Sequence, residues 1–279
     1  MQWPEQCRPG TERPARLRFA HALGHGPWRI SHGYDRVGAE LAAQLGLPVD
    51  VTAAADYHTL VQMIGRGVID VAVLPPVAYV RAREQFGCLG LAATLVGDGS
   101  AYYSGYLVAR RDGPVRTIRD LQGQRIGFVD DLSASGWLFP LRRLLAEGID
   151  PRQHSGRVLF LGDHQAVIKA TLAGEVAAGA SFPGAIQRAR AAGLDVSELR
   201  VIGQTGRIPY DAVVVRPGLE VALAERVANV LYGLNASTPQ GRAALAPLAN
   251  IDGFAKSSSE HYSSVVEALA RLSDSGVKP

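Results

Sequence analysis

Short runs of β-branched and aliphatic residues alternate with apolar positions at helical spacing along most of the chain. Strands are predicted at 17–20, 49–51, 69–74, 88–95, 102–109, 125–129, 158–161, 177–181, 199–203 and 212–215. Between them, 34–45 reads as a helix with Val37, Leu41 and Leu45 on one face, and 57–64 as another with Leu60, Val61 and Ile64 together. Further helices are predicted at 77–83 and 118–121 and in segments ending at 145, 172 and 191. Beyond Leu219 the pattern is helical throughout, at 221–234, 242–248 and 260–272. Strand–helix alternation implies mainly parallel sheets with right-handed crossovers. The helical tail implies that the chain returns to an earlier lobe. Two lobes joined by two crossovers fit this pattern, and periodicity alone does not exclude one doubly wound domain.

Composition changes little. The 279 residues are 47% hydrophobic and 20% charged, enough for one large core or two ordinary ones. The net charge of +3 comes from scattered arginines with no long basic run, and aromatic residues make up only 7%. Both facts argue against a nucleic-acid partner. No segment is long and apolar enough to span a bilayer. Two cysteines, Cys7 and Cys88, give neither a disulfide framework nor zinc spacing. Cys88 precedes an apolar run and reads as a buried strand residue. The opening stretch MQWPEQCRPGTERPARLRF lacks the apolar core of a secretory signal.

Several segments could carry chemistry. In Gly127-Phe-Val-Asp-Asp-Leu-Ser-Ala-Ser-Gly136 a strand ends, small hydroxyl residues follow and a helix begins. N–H groups at a helix start have no internal acceptor, so with Ser133 and Ser135 beside them they form a ready oxyanion site. Plain N-capping by Ser135 is the alternative. Pro140 belongs in the first turn, because deeper it would break the helix. His164, in Gly162-Asp-His164, sits at another strand-to-helix handover, as an anion donor or an exposed cap. Asp211 stands at the mouth of the apolar strand 212–215, as a turn residue or a cleft acceptor. Tyr57 and Tyr102 offer a hydroxyl on a flat apolar body, suited to lining a ligand site or to packing. His21, His25 and His32 do not specify a metal centre, since Gly24, Gly26 and Pro27 argue against a helix and no acidic partner lies between them. Those glycines with Gly33 lack dinucleotide or P-loop spacing. No metal and no cofactor are expected.

Taken in order, these pieces resemble the phosphonate/phosphite-type solute-binding proteins of ABC transporters. The matching stretches are Asp56-Tyr57, Gly67-Val-Ile-Asp-Val-Ala, Tyr102-Tyr-Ser104, Asp120-Leu-Gln-Gly-Gln-Arg-Ile-Gly-Phe, Ser133-Ala-Ser-Gly136 with Pro140, Gly162-Asp-His164 and Ile208-Pro-Tyr-Asp211. The resemblance runs from about residue 17 to 234. It implies the two-lobed α/β fold of type II periplasmic binding proteins, each lobe a mainly parallel sheet flanked by helices. Residues 15–108 with 206–279 would form lobe 1 and 109–205 lobe 2. The ligand cleft would lie between them, with hinge strands near 107–110 and 204–211. The implied ligand is a small phosphorus oxyanion: phosphonate, phosphite or phosphate. The implied contacts are Tyr57, Tyr102, Ser133, Ala134, Ser135, His164 and Asp211. Ala134 replaces the family's usual Thr, which removes one hydroxyl donor, and the stretch 21–34 departs from the family's first loop. The implied partner is an ABC permease or a sensor protein, and the implied location is periplasmic, with cytoplasmic as the alternative. On this reading the protein binds rather than catalyses. The competing expectation is a cytoplasmic enzyme or biosynthetic accessory protein on the same fold, using His164 and Asp211 for acid–base chemistry on a small organic metabolite.

Overall fold

All four residues of strand β3 (Val71–Leu74) are buried, so this strand needs a packed layer on each side. A computed structural model of the chain describes residues 10–22, 33–97, 99–153, 157–248 and 251–274. Cys7, Gly24, His25, Gly26, Pro27 and His32 lie outside the described residues. The chain divides into two units, 1–102 with 209–263 and 103–208 with 264–279.

In the first unit, β3 belongs to a six-stranded sheet. Its order is β11 (Ile251–Lys256), β4 (Leu89–Val96), β10 (Ala212–Val215), β3, β1 (Leu17–Ala22) and β2 (Val49–Ala54). Val71 and Val73 point into a core shared with Val37 and Leu41 of helix α1 (Asp35–Leu45) and with Leu223, Val227 and Leu231 of α7 (Val221–Gly233). Helices α2 (Tyr57–Gly65) and α3 (Pro76–Phe86) pack on each other; α2 also contacts β1, β2 and β3, and α3 contacts β3 and β10. The second unit holds a five-stranded sheet of order β7 (Val158–Phe160), β6 (Ile126–Phe128), β8 (Ala178–Ser181), β5 (Tyr102–Arg110) and β9 (Leu199–Pro209). Ile168 of α5 (His164–Leu172) and Ala185 and Ala189 of α6 (Pro183–Ala191) share its core with Val108. No described helix is long and apolar enough to cross a membrane. Cys88 is buried, just ahead of β4.

The α/β class with two helix-flanked sheets holds, but three details differ from the sequence-based expectation. Strand direction is mixed rather than mainly parallel. In the first sheet β1 pairs parallel with β2 and β3, whereas β10 runs antiparallel to β3 and β4, and β11 antiparallel to β4. The reversed strands are the two that come after the chain's return from the second unit. In the second sheet β6 pairs parallel with β7 and β8, while β5 runs antiparallel to β8. The tail is also not all helical. Residues 251–256 form β11 on the sheet edge, a segment whose Asp252, Gly253 and Lys256 break the apolar run that marks a strand.

Finally, the chain crosses between units at 102/103, 208/209 and 263/264, three times rather than twice. The first crossing precedes the expected hinge at 107–110, because β5 pairs with β8 at Tyr106, Leu107 and Val108 and neighbours β9 inside the second sheet. Helix α9 (Ser263–Asp274) buries Val265, Ala268, Leu269 and Leu272, a stripe at helical spacing. Its Glu267 and Arg271 act electrostatically on Arg142 of α4 (Phe139–Leu145), so α9 clusters with the second unit.

Candidate functional site

The loop after β6 decides the geometry in the second unit. Ser133 has extended backbone, and its Oγ accepts from the Gly136 N–H at 3.0 Å, so Ser133 is the helix cap. This frees the Ser135 side chain from the capping role considered for it. Residues Ala134–Leu138 wind as a π-helical turn that runs into α4. Pro140 lies in the first turn of α4, as its missing N–H requires. The Gly136 carbonyl, four residues before Pro140, accepts instead from Val129 N–H at 3.1 Å. The helix geometry gives the N–H groups of Ala134 and Ser135 no acceptor within their own helix.

Ser135 is buried, and two side chains meet at its hydroxyl. Tyr103 donates to Ser135 Oγ at 3.2 Å, and His164 Nε2 lies 3.4 Å from the same oxygen. Phe182 packs edge-on against both neighbours, 5.3 Å from the Tyr103 ring and 4.8 Å from the imidazole. His164 is the first residue of α5 and is not its cap. Asp163 caps the helix by accepting from Gln165 and Ala166 N–H at 2.7 and 2.9 Å. Burial, aided by the Arg188 guanidinium and opposed by the Ala180 backbone, pushes the His164 pKa down to about 3. The imidazole is therefore neutral at physiological pH. Ser133, Ala134, Ser135 and His164 are thus brought together as a cluster of neutral hydrogen-bonding groups.

The sign of the His164 shift gives a prediction. The unfolded chain takes up the proton near pH 6.5, whereas the folded chain does so only near pH 3. Stability is therefore complete above pH 6.5 and falls as pH drops toward 3. His164→Gln is expected to flatten this acid limb in melting temperatures taken between pH 7 and pH 4. An unchanged slope would contradict the assignment.

The first unit holds the remaining expected residues. Tyr57 opens α2 directly after its cap Asp56, whose carboxylate accepts from Thr59 N–H at 2.6 Å. Tyr102 opens β5, and its hydroxyl lies 3.0 Å from His261 Nδ1. Asp211 immediately precedes β10, and its carbonyl accepts from Thr94 N–H at 2.9 Å. Its charge acts on two buried tyrosines. Burial first, then the Asp211 charge, pushes the pKa values of Tyr34 and Tyr262 upward. Tyr102 and Asp211 both act on Tyr262, so the three share one neighbourhood. His21 is a buried residue of β1 with its ring 4.9 Å from that of Tyr34.

Sequence reasoning did not single out Tyr103, Phe182 or His261. Tyr103 had a signal: adjacent strand residues face opposite ways, so the Tyr102-Tyr103 pair serves both faces of β5. Nothing local marked Phe182 or His261.

A family model described as "ABC transporter, phosphonate, periplasmic substrate-binding protein" matches residues 25–262. A phosphate-import protein of Mycolicibacterium smegmatis is 28% identical over 162 residues, covering 55% of this chain and 50% of that protein. A phosphonates-binding periplasmic protein of Escherichia coli is 23% identical over 211 residues, covering 74% of this chain and 62% of that protein. The chain thus spans roughly half to three-fifths of these relatives' lengths. Among solved structures, a Prochlorococcus marinus protein in complex with methylphosphonate superposes with a TM-score of 0.80 at 19% identity, covering 94% of this chain and 99% of that one.

Proposed function

The chain belongs to the phosphonate substrate-binding proteins of ABC transporters, and from that premise we propose that it binds a small phosphorus oxyanion for uptake through an ABC permease in the periplasm. The observation that carries this reading is the buried Ser135 hydroxyl, held between Tyr103 and a neutral His164 beside a helix start. Fixed O–H and N–H dipoles stabilise an oxyanion without a paired cation once water is excluded. Ser133, the Ala134 backbone, Ser135 and His164 supply the grip, and Tyr57, Tyr102 and Asp211 supply the remaining contacts. Asp211 acts as the filter. A P–OH or a ligand ammonium satisfies its carboxylate, whereas a fully ionised sulfate leaves it unpaired and is rejected.

Ligand linkage tests this. Methylphosphonate, phosphite and phosphate are each added at millimolar level, with sulfate as control. At least one phosphorus oxyanion is expected to raise the melting temperature, and saturation at a thousand times Kd corresponds to about 4 kcal/mol. Sulfate is expected to leave the melting temperature unchanged. A shift with sulfate, or none with any phosphorus oxyanion, would overturn the proposal.

A further inference from the structure

We infer that Phe182 is a specificity-determining residue of the ligand site. Its ring is an apolar wall that takes the carbon-bound group of an alkylphosphonate and disfavours the hydroxyl that phosphate carries in its place. This deepens the proposed function and rests on the reading that the oxyanion is held at Ser135 and His164.

The local chain places the ring, and all the residues concerned lie in the second unit. β8 ends at Ser181, and Pro183 is the first residue of α6. Phe182 between them is extended, with φ −153° and ψ 163°, the conformation a following proline favours. Its half-buried ring meets Tyr103 and His164 edge-on, at 5.3 and 4.8 Å between centroids. The Arg188 guanidinium lies 5.2 Å from the ring centroid, a cation–π contact. Gly184 leaves the ring its space, since a Cβ there would stand 2.9 Å from Phe182 Cε2. The ring is thus held in place by contacts from three side chains.

Tyr103 and His164 are also the two side chains that meet at the Ser135 hydroxyl. Phe182 therefore touches both groups that flank the expected oxygen contact, and a ligand gripped there lies beside its ring. The ring offers no hydrogen bond to a hydroxyl. Tetrahedral phosphorus carries four groups. In an alkylphosphonate three are oxygens, which suit the N–H and O–H donors of the helix start. The fourth is carbon, which needs no partner and gains by apolar burial. In phosphate the fourth is also an oxygen. Against Phe182 it loses its hydration and finds no partner in return.

Calorimetric titration of the full chain with methylphosphonate and with phosphate tests this, at a pH below the second ionisation of both so that their charges match. The wild type is expected to prefer methylphosphonate by about tenfold, the low end for one group gained or lost in an apolar pocket. Phe182→Asn puts an amide at the wall and is expected to bring the preference close to one, weakening methylphosphonate and strengthening phosphate. Phe182→Tyr keeps the ring in its packing, adds one hydroxyl and is expected to bind phosphate more tightly than wild type does. Phe182→Leu stays apolar and is expected to retain most of the preference. Melting curves without ligand confirm that each variant is folded. Equal wild-type affinity for the two anions, or an undiminished preference in the Asn and Tyr variants, overturns the assignment. Parallel losses for both anions in every variant do so too, because they mark a purely structural role. In all these cases a phosphorus oxyanion still binds and the proposed function stands. A wild-type protein that binds neither anion ends both.

Discussion

Asp70→Ala is expected to destabilise the protein by about 3–5 kcal/mol, the range for removing one partner of a buried ion pair. Asp70 is fully buried, and its two oxygens satisfy two arginines. Arg18 donates its backbone N–H and Nε to one oxygen at 2.9 Å each, and Nη2 to the other at 2.8 Å. Arg216 donates Nε to Asp70 at 2.8 Å, and its side chain is only 8% exposed. After the substitution Arg216 keeps Glu12 at 2.7 Å, but that carboxylate is 69% exposed and screened by water. The guanidinium is left largely desolvated and uncompensated.

Urea unfolding measures the loss as a lower midpoint. The pH dependence carries the same signature. Burial pushes the Asp70 carboxyl up, but hydrogen bonds from Arg18 and Arg216 outweigh it and hold the group below the usual carboxylate range. The stability it supplies is complete above the unfolded pKa of ~3.9 and is lost as pH falls through the lower folded value. Asp70→Asn is expected to remove that part of the acid transition. A midpoint within experimental error of wild type would show that the pair contributes nothing net.

The largest expected effect on binding is at Ser135. Ser135→Ala is expected to weaken methylphosphonate binding by about 1.5–3 kcal/mol, the value of a hydrogen bond to a charged group, or roughly 10- to 150-fold. The same change removes the Ser135 oxygen to which Tyr103 donates, while the neutral His164 stays in place. Ser133→Ala is expected to cost folding stability as well as binding. Its hydroxyl is committed to the Gly136 N–H, so it is expected to lower stability by about 1 kcal/mol, as the loss of a cap does. Titration calorimetry and melting curves on both variants distinguish the two. Wild-type affinity in Ser135→Ala would remove this hydroxyl from the site.

Much of this was legible in the sequence because burial leaves a local imprint. The apolar run at 71–74, the spacing of Val37, Leu41 and Leu45, and the small hydroxyl residues before Pro140 each report what one segment packs against or how it must turn. The α/β class and the clustering of hydroxyls at a helix start follow from such signals. His164 carried only half of its story, since its place after a strand was visible but the enclosure that keeps it neutral was not.

What local pattern could not encode was decided by the chain's returns. β11 is a strand because the edge of β4 offers it partners; its own composition, broken by Asp252 and Gly253, does not demand one. The antiparallel entry of β10, the crossing at 263/264 and the pairing of His261 with a tyrosine 159 positions away all depend on where distant segments arrive. Side-chain periodicity is set by each residue's neighbours within a few positions, and hydrogen bonds across sheets and between side chains are set by the closed fold. The sequence by itself therefore determined the elements and the chemistry available at their ends, and the tertiary structure alone decided which of those groups meet.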